Sequence, residues 1–142
     1  MIRVASHLVA VLLTSGHAAA QTCNQAPPAF ATQVFDQIES ARDDAQLSAV
    51  YGAYFSRNLK AQLPEMQFKG AARMVISQLG TAGVPTTRRM IAEPYLIPAP
   101  PGTVGVNIVT NSRAGKVFQT VYLRCTGSDW KVEGIWYSPA PY

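Results

Sequence analysis

Eight carboxylates, two cysteines and two histidines are the residues of this 142-residue chain best suited to chemistry. Their positions close off most of it. His7 and His17 both precede Ala18-Ala19-Ala20, a run of the small residues that a signal peptidase requires. A chain cut there carries no histidine, which removes Ser-His-Asp and Cys-His catalysis and the histidine-based zinc sites. No P-loop, GxGxxG or GxSxG motif is present. The carboxylates are Asp36, Glu39, Asp43, Asp44, Glu65, Glu93, Asp129 and Glu133. Asp36, Glu39 and Asp43 fall three and four apart, so they share one helix face. That face lies away from the apolar stripe and is expected in water, where a carboxylate gains no catalytic pKa. Glu93, beside Pro94 and Tyr95, is the one carboxylate placed to enter a pocket between helices and sheet. Tyr51, Tyr54, Trp130 and Trp136 are the aromatic residues that could line such a pocket with it. Catalysis is the disfavoured reading, and neither a metal nor a cofactor is expected.

The first twenty residues read as a secretory leader. Arg3 supplies a positive start, Leu8 to Leu13 an apolar run, and Ala18 to Ala20 the cleavage site. That run is too short to span a bilayer, which takes ~20 residues. A lipid-modified Cys23 would need small residues just before it, and Gln21 and Thr22 stand there instead. The reading is therefore residues 1–20 as signal peptide and 21–142 as one mature domain, periplasmic or secreted, with no membrane span. Export also bears on Cys23 and Cys125. In an oxidising compartment two cysteines allow one intramolecular disulfide, and closing a loop of ~100 residues contributes about 4 to 5 kcal/mol in the chain-entropy model.

Without Arg3, eleven Lys and Arg face the eight carboxylates. They are scattered, and only Arg88-Arg89 is a doublet. Nucleic acid calls for a concentrated basic footprint with stacking aromatics, so no nucleic-acid partner is expected.

The elements that must hold these residues come in two blocks. Residues 21–28 form an irregular lead-in. Phe30, Val34, Ile38 and Ala41 then recur along one helix stripe. Asp43-Asp44 has N-cap chemistry, and Leu47, Val50, Tyr51, Tyr54 and Phe55 follow at i, i+3, i+4, i+7 and i+8. Pro64 suits a first helical position, and Phe68, Ala72, Val75, Ile76 and Leu79 make a third stripe ending at Gly80. Beyond Gly80 the period changes to two. An extended stretch from Arg88 to Ile97 carries Pro94, which suits an edge. Val104, Val106 and Ile108 alternate, then Val117, Val121, Leu123 and Cys125, then Trp130, Val132 and Trp136, joined by short polar turns. The fold class is α+β: two to three N-terminal helices packed on a curved antiparallel sheet of about four strands.

Strict alternation puts Phe118, Tyr122, Ile135 and Tyr137 on the opposite, outer face. A solvent face of an antiparallel sheet is mostly polar, so four large apolar side chains there mark a candidate partner surface. Two functions from different classes follow. One is a non-catalytic exported domain acting through protein contacts of its sheet face, with a second copy or another exported protein. The other is a pocket between helices and sheet that binds, or slowly transforms, a small apolar ligand.

The closing strands "KVFQTVYLRC" and "DWKVEGIWY", with Trp130, Val132 and Gly134 as a Trp-x-Val-x-Gly core, resemble the secreted bacterial family called domain of unknown function 4019. The resemblance covers roughly residues 41–139 and implies no established activity. Helices followed by a curved sheet also resemble the NTF2-like cone. That likeness implies a ligand pocket inside the cone and a dimer interface on the outer sheet face.

Overall fold

The computed structural model describes residues 23–80, 84–91 and 98–139. Four helices precede a four-stranded antiparallel sheet, an α+β fold. Helix α1 (Pro27–Glu39) starts at a proline, whose missing N–H has no intrahelical partner to lose at that position. Helix α2 (Asp44–Tyr54) is capped by Asp43, whose carboxylate accepts from the Gln46 N–H at 2.9 Å. Helix α3 (Arg57–Gln62) is the element that periodicity did not announce. Six residues with a single buried Leu59 are too few to show a stripe, and its signal is the Ser56 cap, which accepts from the Leu59 N–H. Helix α4 (Glu65–Leu79) ends at Gly80, where φ is 109° and an added Cβ would touch Val84 at 3.0 Å.

Strands β1 (Thr87–Ile91), β2 (Val104–Asn111), β3 (Lys116–Thr126) and β4 (Asp129–Ser138) lie in sequence order, each antiparallel to the next. Glu93, Pro94 and Tyr95 lie outside the described residues, so β1 is described as far as Ile91. The main core is built where α1, α2 and α4 meet the inner sheet face. It gathers Val34, Phe35 and Ile38 of α1, Phe68 of α4, and Val106, Ile108, Val121, Leu123 and Val132 of the sheet. Phe55, Phe68 and Tyr51 pack as rings at its centre, with centroids 4.7 to 5.7 Å apart.

One register shift changes which face half of β4 presents. Val132 pairs with Leu123 and Gly134 with Tyr122, so Glu133 is an extra residue, a β-bulge. Strict alternation fails beyond it. Ile135 and Tyr137 turn inward to the core, Tyr137 edge-on to Phe35 at 6.4 Å. Trp136 turns outward instead and meets Tyr122 edge-on at 5.3 Å. The sequence-based assignment of these three side chains is thus reversed, because a bulge adds one to the count.

A disulfide joins Cys23 to Cys125, binding the N-terminal segment to β3. Trp130 reinforces that junction, donating from Nε1 to the Gln25 carbonyl at 2.7 Å.

Candidate functional site

The sequence-derived partner face does not exist as one surface. Ile135 and Tyr137 are inward, for the reason just given. Phe118 and Tyr122 do point outward, but at 8% and 0% exposure they offer no open patch. Asn107, Val109 and Thr120 on the same face are buried too.

The aromatic pocket divides likewise. Tyr54 and Trp130 border one open concavity of about 390 Å³ near the disulfide, together with Gln25, Gln33 and Lys131. The Tyr54 hydroxyl accepts there from Gln33 Nε2 at 3.1 Å and from Gln37 Nε2 at 2.7 Å. Tyr51 is elsewhere, a core ring whose hydroxyl donates to the Leu63 carbonyl at 2.9 Å. Trp136 lies on the other sheet face, and Glu93 is outside the described residues.

A polar cluster that spacing alone did not reveal sits between α1 and the sheet. Glu39 was expected in water and is 8% exposed. It follows Phe35 by one turn, and Phe35 is fully buried beside Val34, so the buried arc of α1 is wider than the fourfold stripe suggests. Phe35 was the available signal. Glu39 Oε1 accepts from Gln119 Nε2 at 2.8 Å, and Gln119 Oε1 accepts from Thr110 Oγ1 at 2.6 Å. From β1, Arg88 bonds Glu39 through Nη2 and Asp36 through Nη1. Arg88 is therefore an inward side chain rather than a solvated strand end.

The electrostatics follow from this burial. Loss of water pushes the Glu39 carboxyl above its ordinary pKa, while the Arg88 charge and the Gln119 hydrogen bond oppose the shift. Burial also pushes the Tyr137 hydroxyl far above the phenol range, and the Glu39 charge adds to it. The hydroxyl stays protonated. Tyr137 Oη and Arg88 Nε are buried with no hydrogen-bond partner. A cavity of about 280 Å³ opens beside the cluster, between α1, α4 and β1. No group of His, Cys, Asp and Glu among the described residues could hold a metal ion.

A second concavity, also about 280 Å³, runs between α4 and the C-terminal half of β4. Leu63, Phe68, Met74, Val75, Trp136 and Tyr137 border it, and its whole lining is uncharged. Met74 is 66% exposed at its lip.

No helix among the described residues is long and apolar enough to cross a membrane. Comparisons of the chain with protein-family models, with curated proteins and with solved structures find no match.

Proposed function

We propose that this chain is a non-catalytic domain of an exported protein and that it acts through protein contacts, the first of them with a second copy of itself. The observation that carries this reading is the uncharged groove between α4 and β4. Two copies of a chain with a net charge of +4 repel at long range. They meet most cheaply where neither presents a charge. The concavities near the disulfide, at Asp36 and Glu39, and at Arg57 and Lys60 all carry ionised side chains, and this groove carries none.

The groove also follows a sheet edge, since β4 is the last strand in the order. Near its start, that edge already takes an added segment. Ser56 donates its N–H to the Val132 carbonyl at 2.9 Å, and Phe55 forms a parallel bridge there. A second copy laid along the later residues of β4 would extend the same pattern, and an edge-to-edge pair has the two-fold symmetry of most homodimers. The protein-contact reading thereby moves from the sheet face to its edge. Export is supported by the Cys23–Cys125 disulfide, which persists in oxidising compartments, and by the leader-like composition of residues 1–20.

Sedimentation equilibrium of the oxidised protein tests the assembly. The expected result is a dimer that Met74→Arg dissociates, while Met66→Arg, on an exposed position outside the groove, leaves it intact. A wild-type chain that stays monomeric at its solubility limit overturns the reading.

A further inference from the structure

We infer that the concavity between α3 and the β3–β4 hairpin is a binding site for a compact ligand carrying two or more phosphate groups. The concavity measures about 450 Å³. Arg57 and Lys60 reach it from α3, Arg124 from β3, and Lys131 and Glu133 from β4. These residues are far apart in the chain. They meet because the start of α3 is pinned to β4, by the Ser56 N–H on the Val132 carbonyl and by the parallel bridge of Phe55.

Charge sets this place apart from the rest of the surface. Apart from Arg3, the chain has eleven Lys and Arg and eight Asp and Glu. Four of the eleven and one of the eight border the concavity, which leaves seven of each elsewhere. The excess positive charge is therefore gathered here. The single carboxylate does little to offset it at the surface. Glu133 accepts from Arg124 Nε at 3.0 Å, and its side chain is 8% exposed against 35% for Arg124. Solvent thus meets the guanidinium rather than the carboxylate.

The other cations are held by neutral groups or by none. Lys60 Nζ donates to the Gly52 carbonyl at 3.1 Å and lies over the Tyr51 ring, and Lys131 Nζ donates to the Ala53 carbonyl at 2.7 Å. Arg57 is exposed and makes no ion pair among the described residues. The strand register points the same way. Lys131 is the direct cross-strand partner of Arg124, and like charges so placed destabilise an antiparallel pair. An anion bound between them removes that repulsion.

The residue types select phosphate. Guanidinium forks match its oxygens in pairs, and ammonium groups serve as point charges beside them. A single monovalent anion gains little from exposed cations. A phosphate monoester carries roughly −1.5 to −2 at pH 7, so two of them bring about the charge that the concavity lacks. This inference is independent of the dimer proposed above, whose uncharged groove follows the later residues of β4.

The test is calorimetric titration of the oxidised protein with fructose 1,6-bisphosphate at roughly 50 mM salt, where surface charges are weakly screened. Co-sedimentation with equimolar phosphatidylcholine and phosphatidylglycerol vesicles runs beside it. One bisphosphate is expected to bind per chain, and fructose alone not to bind. Arg57→Glu should weaken binding about tenfold or more, and a glutamate in the first turn of α3 suits the helix. Arg113→Glu makes the same change in net charge at the far end of β3, roughly 25 Å from Arg124 at ~3.3 Å per strand residue. Its effect should stay within about twofold, since that distance exceeds the screening length. Vesicle binding that Arg57→Glu abolishes and Arg113→Glu spares assigns the phosphates to a lipid surface, and binding of the bisphosphate alone assigns them to a soluble ligand. No binding to either probe, or equal losses in the two variants, overturns the inference.

Discussion

The ring of Trp136 stands where a side chain on Gly134 would begin: a Cβ added to Gly134 would lie 2.5 Å from its Cη2 and Cζ3 atoms. Trp136 reaches over the bare backbone to meet Tyr122 edge-on. The glycine after the bulge is thus a contact surface for an aromatic ring, the arrangement by which sheets compensate a strand glycine.

Gly134→Ala is therefore expected to displace Trp136 and cost about 1 to 3 kcal/mol, the usual range for overpacking. Urea unfolding followed by tryptophan fluorescence measures both the loss and the change in ring environment. Gly134→Ala combined with Trp136→Leu should cost less than the sum of the two single changes, because the residues are in contact.

The bulge also marks the limit of what the sequence reveals here. The helices announce themselves by stripes such as Phe68, Ala72 and Val75, and the strands by alternation such as Val117, Val121 and Leu123. Each rests on a local period. Ile135, Trp136 and Tyr137 were assigned to the wrong faces because alternation counts residues, while a bulge is a property of pairing between strands. Glu39 was misplaced for a related reason. Its burial depends on Arg88 and Gln119, which are 49 and 80 residues away. The Cys23–Cys125 pair was legible because two cysteines leave one pairing to consider.

Glu39 gives the protein a pH dependence of definite sign. Its folded pKa is raised by burial, so just above the ordinary carboxylate value the native state keeps a proton that the unfolded chain has released. Stability from this group is present at low pH and falls as pH rises through the folded pKa. Glu39→Gln should remove that slope. In urea titrations at a series of pH values, the stability of the wild type relative to the variant should decline from acid toward neutrality, and a rise would contradict the burial described here. Asp44 works the other way: its hydrogen bond from Arg73 lowers its pKa, and that contribution is lost as pH falls.

Gln119 links Glu39 to Thr110 and is fully buried. Gln119→Leu keeps the volume but leaves the Thr110 hydroxyl without its acceptor and Glu39 Oε1 without its donor, while Arg88 still holds Oε2. The expected cost is about 1 to 3 kcal/mol. The Glu39 pKa should also rise further, which carbon-detected titration of the side chain reads directly.

Replacing both Cys23 and Cys125 by serine should lower stability by up to about 4 to 5 kcal/mol, because the loop they close is long. The loss should be accompanied by a change in Trp130 fluorescence, since its bond to the Gln25 carbonyl depends on the tethered segment. An unfolding midpoint equal to that of the oxidised wild type would show that the N-terminal segment holds without its staple.

The same disulfide divides the molecule covalently. All four helices, β1, β2 and β3 as far as Cys125 lie within its ring, with a sequence separation of 102 between the two cysteines, and β4 lies outside. A protease that cuts once inside the ring releases no fragment. The chain gains one water and two ends, and it remains a single molecule until a reductant arrives. A cut at the exposed Gly127-Ser128 turn is different, because it severs the connection to β4, the strand that borders the uncharged groove. In a compartment rich in proteases, most nicks would leave the protein whole, and one short hairpin would decide whether it keeps its fourth strand.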